Sequence, residues 1–276
     1  MSFTDSMAIF FEDYDYGRCK QWLVEHEAFL VKSVVFYVIG IFGIKLYLRD
    51  RKPFDLERPL IAWNAFLATF SLLGFLYTFP SFLKTIRDHG LSHTYTHINE
   101  VHKNSLAGYW SFLWICSKIP EFVDTFFIVL RKKPLMFMHW YHHALTGYFA
   151  FVNFYTENAY LVWAVWLNYL IHFWMYSYYC LRAFRVRVPP QLAQFITTAQ
   201  MVQFVLVIFA MTHAQIKMAA GEKVAATPYG LFLGQWTMWT YLVLWLRFYY
   251  VSYYGNGGKK YVQHSEKIAT ATAKAQ

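Results

Sequence analysis

Three histidines fall within five residues, His139-Trp140-Tyr141-His142-His143, inside an apolar stretch and just after Arg131, Lys132 and Lys133. On a helix, residues three and four apart share a side, so this spacing points three imidazoles the same way. Near neutral pH an imidazole can act as base, nucleophile or metal ligand. The cluster is therefore a candidate reactive centre, and its apolar flanks place it in lipid.

Composition makes the same placement independently. The 276 residues are 57% hydrophobic and 22% aromatic against 15% charged, too little polar surface for one soluble domain of this size. Windows long enough to cross roughly 30 Å of hydrocarbon give seven candidate spans: 28–48, 60–83, 107–130, 135–154, 159–181, 193–215 and 228–253. Helices satisfy their own backbone groups in lipid, so the expectation is an all-α membrane protein of seven transmembrane helices. It is a single domain over residues 1–276, with core spans over 28–253, one long internal loop at 84–106 and a flexible polar tail at 254–276. Met1 to Glu27 is acidic and precedes a run long enough to span, so no cleavable signal is expected. Cys19, Cys116 and Cys180 are odd in number and far apart, so no disulfide framework is expected.

Basic residues give the orientation. One set of connections carries Arg49, Arg51, Lys52 and Arg58, then Arg131, Lys132 and Lys133, then Arg182, Arg185 and Arg187, then the tail lysines 259, 260, 267 and 274. The opposite set holds only Arg18, Lys20, Lys84, Arg87, Lys103, Lys217 and Lys223. By the positive-inside bias the amino terminus faces away from the cytosol and the carboxyl terminus faces it. The net charge of +9 then needs no nucleic acid to explain it. It serves topology and anionic headgroups, and would also collect phosphate-bearing substrates.

Depth follows from about 1.5 Å of helical rise per residue. His142 lies roughly 13 to 14 Å past Lys133, His172 roughly 15 Å before Arg182, and Glu121 about 15 Å before Arg131. Thr197 is shallower, since Pro189-Pro190 is expected to keep the start of its segment out of the helix. Polar groups at that depth cost several kcal/mol unless they face a partner or a wet cavity. They are therefore expected to face one another, with Lys118, Glu121 and Asp124 on one side of the third span and Asn168 with His172 on the fifth. Structural hydrogen bonds between helices are the bland alternative for Asn168 or Thr197 taken alone.

Two chemistries compete for the histidines. An oxygen-activating di-iron centre, as in a desaturase or hydroxylase, would recruit further boxes such as His93-x-x-x-His97 with His102. The charge-derived topology puts those three in the luminal loop, across the bilayer from the His139 box, where they read as ordinary loop residues. The metal-free alternative has a neutral imidazole attack a thioester to give an acyl-imidazole, with neighbouring histidines and Glu121 or Asp124 stabilising charged states. Cys116 is a rival nucleophile with no activating base in view, and a buried apolar role suits it better.

Four blocks carry a resemblance to the ELO family of membrane fatty acid elongases: Lys118-Ile119-Pro120-Glu121-Phe122-Val123-Asp124-Thr125, the His139 to His143 box, the segment from Asn168 to Tyr179, and Thr197-Thr198-Ala199-Gln200. They match in order and spacing over roughly residues 10–255. The resemblance implies a seven-helix fold with six helices around a narrow acyl tunnel open to the cytosol. It implies a 3-ketoacyl-CoA synthase that condenses long-chain acyl-CoA with malonyl-CoA, releasing CoA and carbon dioxide, with no metal and no cofactor beyond these substrates. His142 would be the nucleophile, His172 its companion, and His139, His143, Lys118, Glu121 and Asp124 their support. Asn168, Tyr176, Tyr179 and Gln200 would line the substrate path, with Arg131, Lys132, Lys133, Arg182 and Arg185 at its mouth for CoA phosphates. The Trp140-Tyr141 pair inside the box resembles the branch acting on saturated and monounsaturated chains. Endoplasmic reticulum residence follows from the implied activity, as do a 3-ketoacyl-CoA reductase and a 3-hydroxyacyl-CoA dehydratase as partners; a homo-oligomer is a further expectation. Outside this class stand a seven-helix receptor, which leaves the mid-membrane charges unexplained, and a passive lipid carrier, which needs a tunnel but no reactive imidazoles.

Overall fold

The computed structural model describes residues 7–255, all of them helix, turn or coil with no strand among the described residues. The flexible tail expected at 254–276, with its lysines, lies almost wholly outside them. The main elements are α1 (Tyr16–Tyr47), α2 (Glu57–His89), α3 (His93–Thr96), α4 (Glu100–Lys103), α5 (Ser105–Ser117), α6 (Phe122–Leu130), α7 (Phe137–Tyr155), α8 (Leu161–Ala183), α9 (Pro190–Ala219) and α10 (Pro228–Tyr249), followed by a π-helical turn over Tyr250–Tyr254. By length and composition α1, α2 and α9 are each able to cross a membrane.

Local chemistry fixes the helix ends where hydropathy alone misplaces them. Asp15 accepts a hydrogen bond from Arg18 N at 2.7 Å and starts α1 twelve residues ahead of the apolar stretch at 28. Asn104 caps α5 through Leu106 N and Ala107 N, and Thr227 caps α10 through Gly230 N. Pro190 occupies the first turn of α9 instead of staying outside the helix, because a proline there gives up only a hydrogen bond that no helix start can make.

Two expectations need correction. The third span is not one helix: it stops at Ser117 and resumes at Phe122, since Pro120 has no N–H to offer the preceding turn. The crossing is stitched by tighter bonds, Phe122 N to Ile119 O at 3.1 Å and Val123 N to Pro120 O at 3.0 Å. Residues 84–106 are not an irregular loop either. They finish α2, form α3 and α4, and bury Tyr95, Val101 and His102.

Neighbour packing runs α7 to α10, α9, α8, α2 and α5, and both α5 and α6 return to α7; α1 packs against α6 and α7 from outside this circuit. The α2–α8 contact is the most intimate. Gly74 sits under the Tyr169 ring, so close that a β-carbon there would lie 2.2 Å from Tyr169 Cζ. The main core spans most of these helices and includes Phe112, Phe149, Phe154, Tyr160 and Tyr241.

Side-chain bonds tie the basic connections together at one end. Lys132 Nζ donates to the carbonyls of Arg49 and Arg51, and Arg185 forms a two-pronged pair with Glu57 at 2.9 and 2.8 Å. At the other end Lys20 pairs with Glu157, Ala225 N donates to Thr96 O, and Asn158 accepts from Thr227 N.

Candidate active site

The break in the third span sets the site. Lys118 ends α5 and Glu121 begins α6, and their side chains pair at 2.6 Å with side-chain exposures of 2% and 6%. Ser117 Oγ lies 2.8 Å from the same Glu121 oxygen. Lys118 Nζ also reaches Asn168 Oδ1 at 3.3 Å and sits over the Trp114 ring, whose Nε1 donates to Asn168 Oδ1 at 2.8 Å. Two helical segments and α8 thus share one buried charged network, in which the ammonium and the carboxylate are paired and hydrogen-bonded.

Asp124 belongs to a neighbouring set. One carboxylate oxygen accepts from Trp63 Nε1 at 2.6 Å and the other from Tyr176 OH at 2.7 Å. It joins α2, α6 and α8, apart from the direct Lys118–Glu121 bond.

The histidine box rides on α7. The His139 and His143 rings approach to 4.6 Å between centroids, and His142 meets His143 edge-on at 5.4 Å. The backbone oxygen of His142 accepts from Thr146 Oγ1 at 2.6 Å and Tyr241 OH at 3.0 Å, and its ring packs against Tyr241 and Trp245 of α10. His172 is buried on α8, edge-on to Tyr176 at 5.2 Å. Among the described residues no three His, Cys, Asp or Glu side chains converge as a metal ion requires.

The remaining expected residues divide. Gln200 receives Trp245 Nε1 at 2.8 Å, which connects it to the ring that packs on His142. Thr197 is buried but bonds to Ala193 O and lies against Tyr253, at the end of the described chain. Tyr179 is 46% exposed. Lys132 and Arg185 have their charges engaged by the chain itself, both from left-handed backbone positions, whereas Lys133 and Arg187 are exposed and Arg131 and Arg182 half-buried at the same end. His93 and His97 stack at the opposite end, and His102 is buried there, its Nδ1 accepting from Asn99 N. Burial pushes the His102 imidazole down to about 3.

Sequence reasoning missed Trp63, Tyr176's carboxylate contact, Thr146, Tyr241 and Trp245. Nothing marks Tyr241 among 22 tyrosines, or Trp63 and Trp245 among 11 tryptophans, until the helices are assembled.

A sequence model of the ELO family, described as GNS1/SUR4, matches residues 22–261. The chain belongs to the ELO family. It is 36% identical to long chain fatty acid elongase 1 of Caenorhabditis elegans, over 87% of this chain and 83% of that one. It is 32% identical to very long chain fatty acid elongase 6 of Drosophila melanogaster, over 96% and 83%, and 34% identical to very long chain fatty acid elongase 3 of Mus musculus, over 90% and 92%. The family's length and these coverages span both ends of the polar centre, from Trp63 on α2 to Trp245 on α10.

Proposed function

We propose that this ELO-family membrane protein is the condensing enzyme of fatty acid elongation, a 3-ketoacyl-CoA synthase acting on long-chain acyl-CoA and malonyl-CoA. The observation that carries the reading is His142: an imidazole edge-on to His143, packed on Tyr241 and Trp245, with its backbone clamped by α10 and part of its surface still accessible.

In the proposed sequence an imidazole nitrogen of His142 attacks the thioester carbonyl, the C–S bond breaks, and CoA leaves as thiolate with the imidazole proton passing to a neighbouring base. Malonyl-CoA then loses carbon dioxide, and the electron pair of the broken C–C bond forms an enolate. The enolate carbon attacks the acyl-imidazole, His142 departs, and the chain is two carbons longer. Buried donors such as the Lys118 ammonium would stabilise negative charge as it develops.

The seven apolar segments serve as seven crossings, and the circuit of six around the polar centre forms the acyl tunnel, with α1 outside. In support, His142 keeps accessible surface although α7, α8 and α10 surround it. Each methylene buried in such a tunnel is worth about 0.8 kcal/mol. Arg131, Lys133, Arg182 and Arg187 share the basic end and suit CoA phosphates. That end faces the cytosol and the other the lumen of the endoplasmic reticulum, with reductase and dehydratase acting downstream. Trp140-Tyr141 favours saturated or monounsaturated chains.

The test is purified protein with malonyl-CoA and a panel of acyl-CoAs. His142→Ala should abolish two-carbon extension while acyl-CoA binding persists. Exposure to acyl-CoA alone should add an acyl mass that maps to His142. Extension by the variant at the normal rate would overturn the assignment.

A further inference from the structure

A chain of hydroxyls runs from the outer helix to the histidine box. Tyr37 OH on α1 lies 2.8 Å from Thr125 Oγ1 on α6, and Thr125 Oγ1 lies 3.0 Å from His139 Nε2 on α7. Tyr37 is 2% exposed and Thr125 not at all. The Tyr37 ring is fixed by stacking on Phe122 at 4.3 Å. None of these atoms bonds to the charged network, yet they connect an element outside the helical circuit to a member of the proposed reactive cluster.

Counting donors decides the direction of the bonds. Thr125 has one proton to give. If it gave that proton to Tyr37, the phenolic proton of Tyr37 would need a second acceptor, and among the described residues it has none. A buried hydroxyl left without an acceptor costs about 1–3 kcal/mol. The arrangement that gives both buried hydroxyls an acceptor has Tyr37 donate to Thr125 and Thr125 donate to His139 Nε2. An imidazole that accepts at Nε2 while neutral carries its proton on Nδ1.

We propose that Tyr37 and Thr125 are positioning residues that hold His139 in its Nδ1–H tautomer, so that its ring serves the reaction as a fixed hydrogen-bond donor. With Nε2 occupied, His139 has no free lone pair and is neither nucleophile nor base. Its remaining polar edge is an N–H on a half-buried ring beside His143, suited to an oxygen that gains negative charge when a thioester is attacked. The tautomer follows from the hydrogen bonds alone; the role in condensation rests on the function proposed above.

Nitrogen-15 spectra of histidine-labelled full-length protein in detergent micelles separate the two. The imidazole signals lost in His139→Asn identify this ring, and in the wild type they should report hydrogen on Nδ1. Thr125→Val, which keeps the shape and removes the hydroxyl, and Tyr37→Phe should each release the ring into a mixture of tautomers, and Thr125→Ser should restore it. In the condensation assay Thr125→Val should lower kcat about tenfold, with KM for acyl-CoA unchanged and Thr125→Ser recovering most of the rate. Hydrogen on Nε2 in the wild type, or a tautomer indifferent to both substitutions, would overturn the proposal. So would a Thr125→Ser variant as slow as Thr125→Val. Should the tautomer respond as expected while His139→Asn condenses normally, the positioning stands and the reading of His139 as part of the reaction fails.

Discussion

Lys118 and Glu121 pair at 2.6 Å across the point where Pro120 interrupts the third apolar segment. A continuous helix would put them on the same face, but the break makes one the end of α5 and the other the start of α6. The pair consequently holds two helical segments to each other as well as to Asn168 on α8.

Removing one member of this pair leaves the other charge buried. Glu121→Gln or Lys118→Met should each cost about 3–5 kcal/mol of stability. The double variant Lys118→Met/Glu121→Leu should recover much of the loss while remaining inactive. Thermal unfolding in detergent, followed by size-exclusion, measures the first effect and the condensation assay the second. Additive losses in the double variant would contradict the coupling.

Tyr241 fixes α7 to α10 through the carbonyl of His142. Tyr241→Phe should lower stability by only about 1 kcal/mol, since Thr146 still donates to the same oxygen. On the proposed role of His142, condensation should fall further than that figure implies, because its ring loses part of its lateral hold. An unaltered kcat would separate Tyr241 from the chemistry.

Gly74 allows α2 and α8 to approach across the Tyr169 ring. A methyl group there has nowhere to go, so Gly74→Ala should destabilise by about 1–3 kcal/mol through forced repacking. Combining it with Tyr169→Leu should restore part of the loss, as read by the shift in Tm.

His102 lies outside the spans and is held neutral by burial, its pKa depressed from 6.5 to about 3. Between those values the unfolded chain binds a proton that the folded chain refuses, so stability rises with pH there and is lost as pH falls below about 6.5. His102→Gln should flatten this dependence between pH 6.5 and 4, measured as Tm against pH. An unchanged slope would assign the acid sensitivity to another group.

Much of this was legible in the chain. The apolar runs located every long helix because hydrocarbon selects for them over about 20 residues. The motif residues from Lys118 to Thr125 and from His139 to His143 stood out because charge and imidazole are rare in such runs. The break at Pro120 was also visible, since proline removes an N–H wherever it stands, but a window average passes over a single residue. Helix ends went astray for the same reason: Asp15 and Asn104 act through one hydrogen bond each, which hydropathy does not register.

Sequence by itself therefore determined that the chain is helical, belongs in a membrane, carries its bases at alternate connections and gathers His139, His142 and His143 on one segment. These properties depend on neighbours a few residues apart. Only the tertiary structure decided that Asp124 is held by Trp63 and Tyr176, that Thr125 links Tyr37 to His139, and that Tyr241 grips the backbone of His142. Those bonds join residues 14 to 99 positions apart. Their partners are common aromatic and hydroxyl side chains, which acquire meaning only when packing brings one helix against another.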